Sequence, residues 1–138
     1  MALAITDVEV DAATMVIDTV TINAAASVDS AEVDRGANAA VDGVTALLTV
    51  TGFAAVPAAG GYMKVSMVPL NTTAGTEYND GPGGIVIPVT ADALYDAPAV
   101  LDLPPGIRYF KIRVTNVTSQ NTDADAVSVI LKYQKVTV

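Results

Sequence analysis

Short runs of β-branched residues, separated by turn-forming clusters at intervals of roughly ten residues, restrict the fold of this chain more than any other feature. Val, Ile and Thr make up 44 of its 138 residues, and their branched side chains favour a pleated strand over a helix. The clusters are rich in Gly, Pro, Asn and Asp, which favour turns. They cover Asn23 to Ala26, Asp34 to Asp42, Gly52 to Gly61, Asn71 to Gly84, Ala91 to Pro98, Leu103 to Gly106 and Ser119 to Asp125.

Three of the runs alternate clearly between apolar and polar residues. In Arg108 to Val114, the apolar residues Phe110, Ile112 and Val114 alternate with Tyr109, Lys111 and Arg113. The runs Met63 to Met67 and Val127 to Tyr133 alternate in the same way. A period of two residues is typical of a strand with one buried and one wet face.

Weaker strands are predicted at Thr14 to Ile22, Ser27 to Val33, Val44 to Thr51, Ile85 to Thr90 and Ala99 to Leu103. Pro88 cannot donate a backbone hydrogen bond, so its strand is predicted to lie at a sheet edge or to carry a bulge. The pattern of about eight short strands predicts an all-β, antiparallel β-sandwich, and we favour the jelly-roll type.

The length of 138 residues indicates a single domain. A chain of this mass buries about two-thirds of its surface on folding, which is enough for a core without disulfides or metals. The apolar residues include 23 Ala and 21 Val, so we expect a core of small side chains. We therefore assign residues 1–138 to one β-sandwich domain, with residues 1–13 as a possible N-terminal arm.

The chain contains no Cys, no His and no Trp. Thiol chemistry, the Ser-His-Asp triad and nearly all transition-metal sites are therefore excluded. Asp7, Glu9 and Asp11 would line one face of a strand, but we interpret them as an acidic solvent face or a flexible arm. We predict no enzyme activity, no cofactor and no metal.

Calcium needs only oxygen ligands, and two loops contain clustered oxygens, Asn121 to Asp125 and Asn79 to Gly81. Neither has the spacing of an EF-hand loop or its closing Glu. Side chains of this kind usually stabilise turns by bonding to the backbone. We therefore treat a calcium site as the less favoured interpretation of both loops.

The net charge is −8 and the pI is near 4.1, which argues against nucleic acid and anionic membrane as partners. No apolar stretch is long enough to span a bilayer, and the first residues lack the basic region of a signal peptide. We therefore expect a soluble protein that is used without export.

Charge is distributed unevenly along the chain. Residues 1–34 contain seven acids and no base, whereas residues 105–138 contain five bases and two acids. One interpretation is that both ends are solvated strand faces. The other is that the acidic leading segment pairs with a basic surface, either on its own C-terminal strands or on another subunit.

Aromatic and arginine side chains supply most of the binding energy at protein interfaces. Tyr109 lies beside Arg108 and, on the same strand face, Arg113, so these three residues form a candidate contact patch. Tyr78, in a long polar loop, is a second candidate. The simpler interpretation of Tyr109 is that it covers the outer sheet face with its hydroxyl in water.

Three segments together resemble the small jelly-roll capsid cement, or decoration, proteins of tailed bacteriophages. They are Val20 to Gly36, Gly61 to Asn71 and Leu101 to Val114. The matching features are Ser27, Val28 and Asp29 in the first, Gly61 to Val68 in the second, and Leu103 to Gly106 followed by Arg108 and Tyr109 in the third.

The resemblance implies a structural virion protein, made in the host cytoplasm and located on the outer surface of the capsid. Its implied partners are the major capsid protein and itself, as a homodimer or homotrimer. The apolar residues of the arm, Leu3, Ile5, Val8 and Val10, would then contact a neighbouring subunit. The alternative is a β-sandwich module that recognises a glycan or a host receptor at a virion or cell surface.

Overall fold

The structure is a computed structural model that describes residues 15–34, 44–70, 85–101 and 107–133. These ranges contain nine β-strands and no helix. The strands are β1 Met15–Val20, β2 Ser27–Asp29, β3 Val33–Asp34, β4 Val44–Val50, β5 Tyr62–Leu70, β6 Ile85–Pro88, β7 Tyr95–Leu101, β8 Tyr109–Val117 and β9 Val127–Tyr133. Four strands form one sheet and five form the other.

Sheet A has the strand order β1-β9-β4-β7 and sheet B the order β2-β8-β5-β6, with the two-residue β3 also pairing with β8. All pairs are antiparallel. The predicted antiparallel β-sandwich is confirmed. The strand pairs are nested along the chain: β1 pairs with β9, β2 with β8, β4 with β7 and β5 with β6.

The core lies between the sheets and consists mainly of small and medium-sized side chains. Ala46 of β4 and Ala99 of β7, which are neighbouring strands of sheet A, are fully buried. Phe53 and Phe110 are the largest buried side chains. The other fully buried members include Val50, Met63, Val65, Ile112, Val114, Val127, Val129 and Leu131.

Two strands that contain proline lie at sheet edges. Pro88 ends β6, which is the outermost strand of sheet B, as predicted. Pro98 lies within β7, although the sequence predicted a turn from Ala91 to Pro98 and a strand only from Ala99. That prediction was wrong because β7 is the edge of sheet A and pairs only with β4, and an edge strand tolerates a residue without an N–H.

The single strand predicted from Ser27 to Val33 is instead two short strands, separated at Ser30. The Ser30 hydroxyl accepts a hydrogen bond of 2.9 Å from the backbone N–H of Ile112. The Ser30 N–H donates in turn to the Ile112 carbonyl at 2.8 Å. The side chain thus satisfies the backbone of β8 where the ladder is interrupted.

A buried polar network closes one end of the sandwich. Asn116 is fully buried, and its amide nitrogen donates to the carbonyls of Ile22 at 3.0 Å and Gln120 at 2.9 Å. Its amide oxygen accepts from the backbone N–H of Thr118 at 3.0 Å and from the Thr118 hydroxyl at 2.7 Å. Although Asn116 begins an N-x-T sequence, its nitrogen is committed and inaccessible, so it cannot accept a glycan in the folded chain.

Candidate contact face

The outer face of sheet B, which points away from the core, carries most of the charged residues predicted to make contacts. Along β8 the inward residues are buried, whereas Tyr109, Lys111, Arg113 and Thr115 are only half-buried. This is the alternation predicted from the sequence. The neighbouring outward residues come from β2 on one side and from β5 on the other.

Asp29 of β2 binds two cations of β8. Its carboxylate accepts hydrogen bonds from Nε and Nη2 of Arg113 at 2.7 and 2.9 Å, and it lies 2.9 Å from Nζ of Lys111. The hydrogen bond from Arg113 holds the pKa of Asp29 below its ordinary value, with Lys111 acting in the same direction and burial opposing both. Asp29 is therefore charged at neutral pH and fixes both cations in place.

Arg108 forms a second two-pronged ion pair at the far end of this face. Its Nε and Nη2 atoms donate to the Asp34 carboxylate at 2.8 and 3.0 Å. The same guanidinium lies 5.0 Å from the ring centre of Tyr109, within the range of a cation–π contact. The pairing with Asp34 raises the pKa of Arg108 above its ordinary value, so this side chain keeps its charge.

These ion pairs show which basic surface is bound by two acids of the acidic leading segment. Asp29 and Asp34 belong to the acidic leading segment, and their partners Arg108, Lys111 and Arg113 belong to the basic trailing segment. For these two acids, the basic surface is therefore on the same chain. Asp7, Glu9 and Asp11 lie outside the described residues.

An open depression of about 540 Å³ lies in the middle of this face. Cross-strand pairing places its lining residues in two rows over three strands. The rows are Ser27, Thr115 and Lys64, then Asp29, Arg113 and Ser66. We call this the Lys64 depression.

Two donors in the Lys64 depression have no partner among the described residues. Lys64 forms no ion pair there, and the Ser66 hydroxyl forms no hydrogen bond. Ser66 retains only 7% of its exposure, and no side-chain polar atom of the described residues is both fully buried and unbonded. The Ser66 hydroxyl therefore reaches solvent through the depression.

The structure places three of the predicted contact residues together on this face: Arg108, Tyr109 and Arg113. The others, Leu3, Ile5, Val8, Val10 and Tyr78, lie outside the described residues. Asp29, Lys64 and Lys111 were not predicted as contact residues. Lys111 alternates with Tyr109 and Arg113 and was visible in the pattern, whereas the others come from strands whose pairing no sequence signal revealed.

The Asn121 to Asp125 loop, considered for calcium, uses its oxygens to hold turns. The Asn121 side-chain oxygen accepts from the N–H of Ala24 at 2.9 Å, and the Thr122 hydroxyl accepts from the N–H of Ile22 at 3.0 Å. Within the described residues, no three carboxylates lie close enough together to hold a metal ion. The other loop considered, Asn79 to Gly81, is not among those residues.

Comparisons with protein-family models, with curated proteins and with solved structures find no match to this chain. In the part of the chain that the structure describes, no helix is long and apolar enough to cross a membrane.

Proposed function

We propose that this protein is a capsid decoration subunit, which binds the outer surface of a tailed-bacteriophage head and stabilises contacts between major capsid proteins. The nested strand pairing is the observation that carries the proposal. The four-stranded sheet A has the order β1-β9-β4-β7, and the five-stranded sheet B contains the path β2-β8-β5-β6. We infer a jelly roll from this order, an architecture that recurs in viral capsid proteins.

The outer face of sheet B supports a role in contact. Ion pairs between different strands hold its long side chains in place, so less conformational entropy is lost when a partner binds. Arg108 and Tyr109 stack at one end of this face, and residues of these types dominate binding energies at interfaces. The proposed role requires no catalytic group, and repeated binding to symmetric sites would raise avidity.

Co-sedimentation with expanded heads of the phage that encodes this chain tests the proposal. We expect Tyr109→Ala to weaken binding about tenfold or more, because it removes the aromatic residue of the proposed contact. Met15→Ala is the matched control, since Met15 is a large exposed residue, 43% accessible, on β1 of the opposite sheet.

The wild-type protein should also raise the temperature at which expanded heads lose their DNA. Mass spectrometry of purified virions should detect the chain in a copy number comparable to that of the major capsid protein. A protein that neither sediments with heads nor occurs in virions would not be a decoration subunit.

The polar Lys64 depression favours one alternative, a module that recognises a glycan. Hydroxyl and charged groups line it, and jelly rolls also occur in lectins. A glycan array with the wild-type chain tests this alternative. Binding that is lost in Ser66→Ala and retained in Met15→Ala would support it over capsid binding.

A further inference from the structure

We propose that the Lys64 depression binds a sugar that carries a carboxylate, such as a uronic acid, with Lys64 and Ser66 as its principal donors. The site is a second binding activity, and it does not depend on capsid binding. It also specifies the class of sugar for the glycan-binding alternative, because the ammonium group of Lys64 favours an anionic sugar over a neutral one.

The other charges on the described part of this face balance one another. Three acids and three cations lie along the border of β8 with β2 and β3: Asp29, Glu32 and Asp34, and Arg108, Lys111 and Arg113. Lys111 and Arg113 are bound to Asp29 and have a further interaction each. Glu32 lies opposite Lys111 when the register of β3 against β8 is continued by one residue, and it is engaged as well. Lys64, on the opposite side of β8, therefore carries the unmatched charge among these residues.

The nearest neighbours of Lys64 are uncharged. Across the strands it pairs with Thr115 of β8 and with Val86 of β6, and the outward residues beside it on β5 are Tyr62 and Ser66. Lys64 forms no ion pair with any described residue. An anion that reaches its ammonium group thus displaces no partner in that part of the chain.

Hydroxyl groups in the depression supply the hydrogen bonds that a sugar needs. Ser66 lines the depression and is only 7% exposed, and its hydroxyl has no hydrogen-bond partner among the described residues. The Ser27 and Thr115 hydroxyls lie 2.8 Å apart and share one hydrogen bond, so this pair retains one O–H donor and free lone pairs for a ligand. Such groups both donate and accept, as the hydroxyls of a sugar do.

The composition of the lining favours a sugar over a protein segment. All six lining residues are polar or charged, whereas protein partners draw most of their binding energy from anchors such as Trp and Tyr in well-packed pockets. With Asp29 negative and Lys64 and Arg113 positive, the lining has a net charge of +1, which matches a single carboxylate. The volume of about 540 Å³ lies within the range of roughly 300 to 1,000 Å³ that is typical of small-molecule sites.

A titration of the heavy-nitrogen-labelled full-length chain, followed through its amide chemical shifts, tests the proposal. The probes are methyl glucuronide and methyl glucoside, which differ only in a carboxylate in place of a hydroxymethyl group. We expect the glucuronide to shift the amides of Lys64, Ser66 and Thr115 saturably at millimolar concentrations, and to bind about tenfold more tightly than the glucoside. This preference should shrink at about 0.5 M NaCl, since salt screens partly exposed charges.

Two variants with the same change of charge provide the matched comparison. Lys64→Gln should weaken glucuronide binding about tenfold and leave glucoside binding unchanged, because it removes the charge. Lys132→Gln should leave the binding of both sugars unchanged, because Lys132 belongs to β9 in the other sheet. Ser66→Ala should weaken the binding of both sugars, since it removes a hydroxyl that either can use. The amide spectrum of each variant shows whether it remains folded.

Equal binding of the two sugars would overturn the assignment of an acidic sugar, although the broader glycan alternative would stand. Equal effects of Lys64→Gln and Lys132→Gln would also overturn it. An oligoglutamate peptide supplies carboxylates without a sugar ring, and if it shifted these amides as strongly as the glucuronide, the site would belong to an acidic protein segment. No saturable shift with either sugar up to about 50 mM would mean that the depression binds no sugar. Because no capsid is present, none of these results affects the co-sedimentation test of the proposed function.

Discussion

At the scale of single residues, Asp29 joins two cations of β8 in one ion-pair network. It is 28% exposed, and its partners Lys111 and Arg113 are 21% and 24% exposed. Isolated surface ion pairs contribute little to stability, but these three groups are partly withdrawn from water and joined in one network. Without Asp29, the two cations would repel each other across neighbouring outward positions of β8.

We therefore expect Asp29→Asn to lower the free energy of unfolding by about 1 to 2 kcal/mol, because it removes the charge-assisted interactions of this carboxylate with Arg113 and Lys111. Urea denaturation at neutral pH measures the change. Asp18→Asn is the control, since Asp18 is exposed on β1 and has no ion pair among the described residues. It should cost less than about 0.5 kcal/mol, and equal costs for the two variants would contradict the role of Asp29.

The same carboxylate predicts a dependence on pH. The pKa of Asp29 in the folded chain is lowered from its ordinary value of 3.8, chiefly by the hydrogen bond from Arg113. A lowered pKa adds stability that is complete above the ordinary value and disappears as the pH falls through the folded value. The difference in unfolding free energy between wild type and Asp29→Asn should thus be constant from pH 7 to about 5 and vanish in stronger acid. A difference that persists at the lowest pH would show that packing, not charge, is the cause.

At the scale of the strands, the sequence revealed those whose two faces differ in polarity. In β8, Phe110, Ile112 and Val114 alternate with charged residues, and the strand was predicted to within a few positions. In β7, Pro98 and the small residues around it resemble a turn, and only the position of the strand at a sheet edge explains its conformation. The interruption at Ser30 was hidden because it depends on Ile112, 82 positions away.

The same limit on prediction from the sequence applies to the candidate contact face on sheet B. Alternation along β8 predicts that Tyr109 and Arg113 share a face, because that is a property of one strand. Asp29 is 84 positions from Arg113, and their pairing depends on the register of β2 against β8. Lys64 reaches the same depression only because β5 pairs with the other side of β8. Such contacts follow from the topology and from no local pattern.

The side chain of Asn116 joins the end of β8 to two other segments, so its removal should weaken the contacts between them. Asn116→Ala should lower the free energy of unfolding by about 3 kcal/mol, since it leaves the buried N–H of Thr118 without its acceptor and removes one of the two donors to each of the carbonyls of Ile22 and Gln120. Asn121→Ala, which removes one exposed hydrogen bond to Ala24, should cost about 1 kcal/mol or less. Urea denaturation of both variants measures the difference. Similar costs would mean that the network does not hold the end of the sandwich.

At the scale of the molecule, the two sheets share one core and their strands are interleaved along the chain. β1 and β4 belong to sheet A, whereas β2 and β5 belong to sheet B. Neither sheet can form completely before the chain has crossed between the layers several times. Most strand pairs join distant parts of the sequence, and such topologies fold in milliseconds to seconds. The sandwich is thus expected to unfold as a single cooperative unit.

Matched core substitutions test this cooperativity. Val129 of sheet A and Val65 of sheet B are both fully buried in the shared core. Changing either residue to Ala should lower the free energy of unfolding by about 2 kcal/mol, through lost burial and a small cavity. Hydrogen exchange should show this loss at the slowest amides of β4, β5, β8 and β9 alike, because the sheets open together. If Val129→Ala lowered protection only in β4 and β9, the sheets would be separate units and the single core would not govern stability.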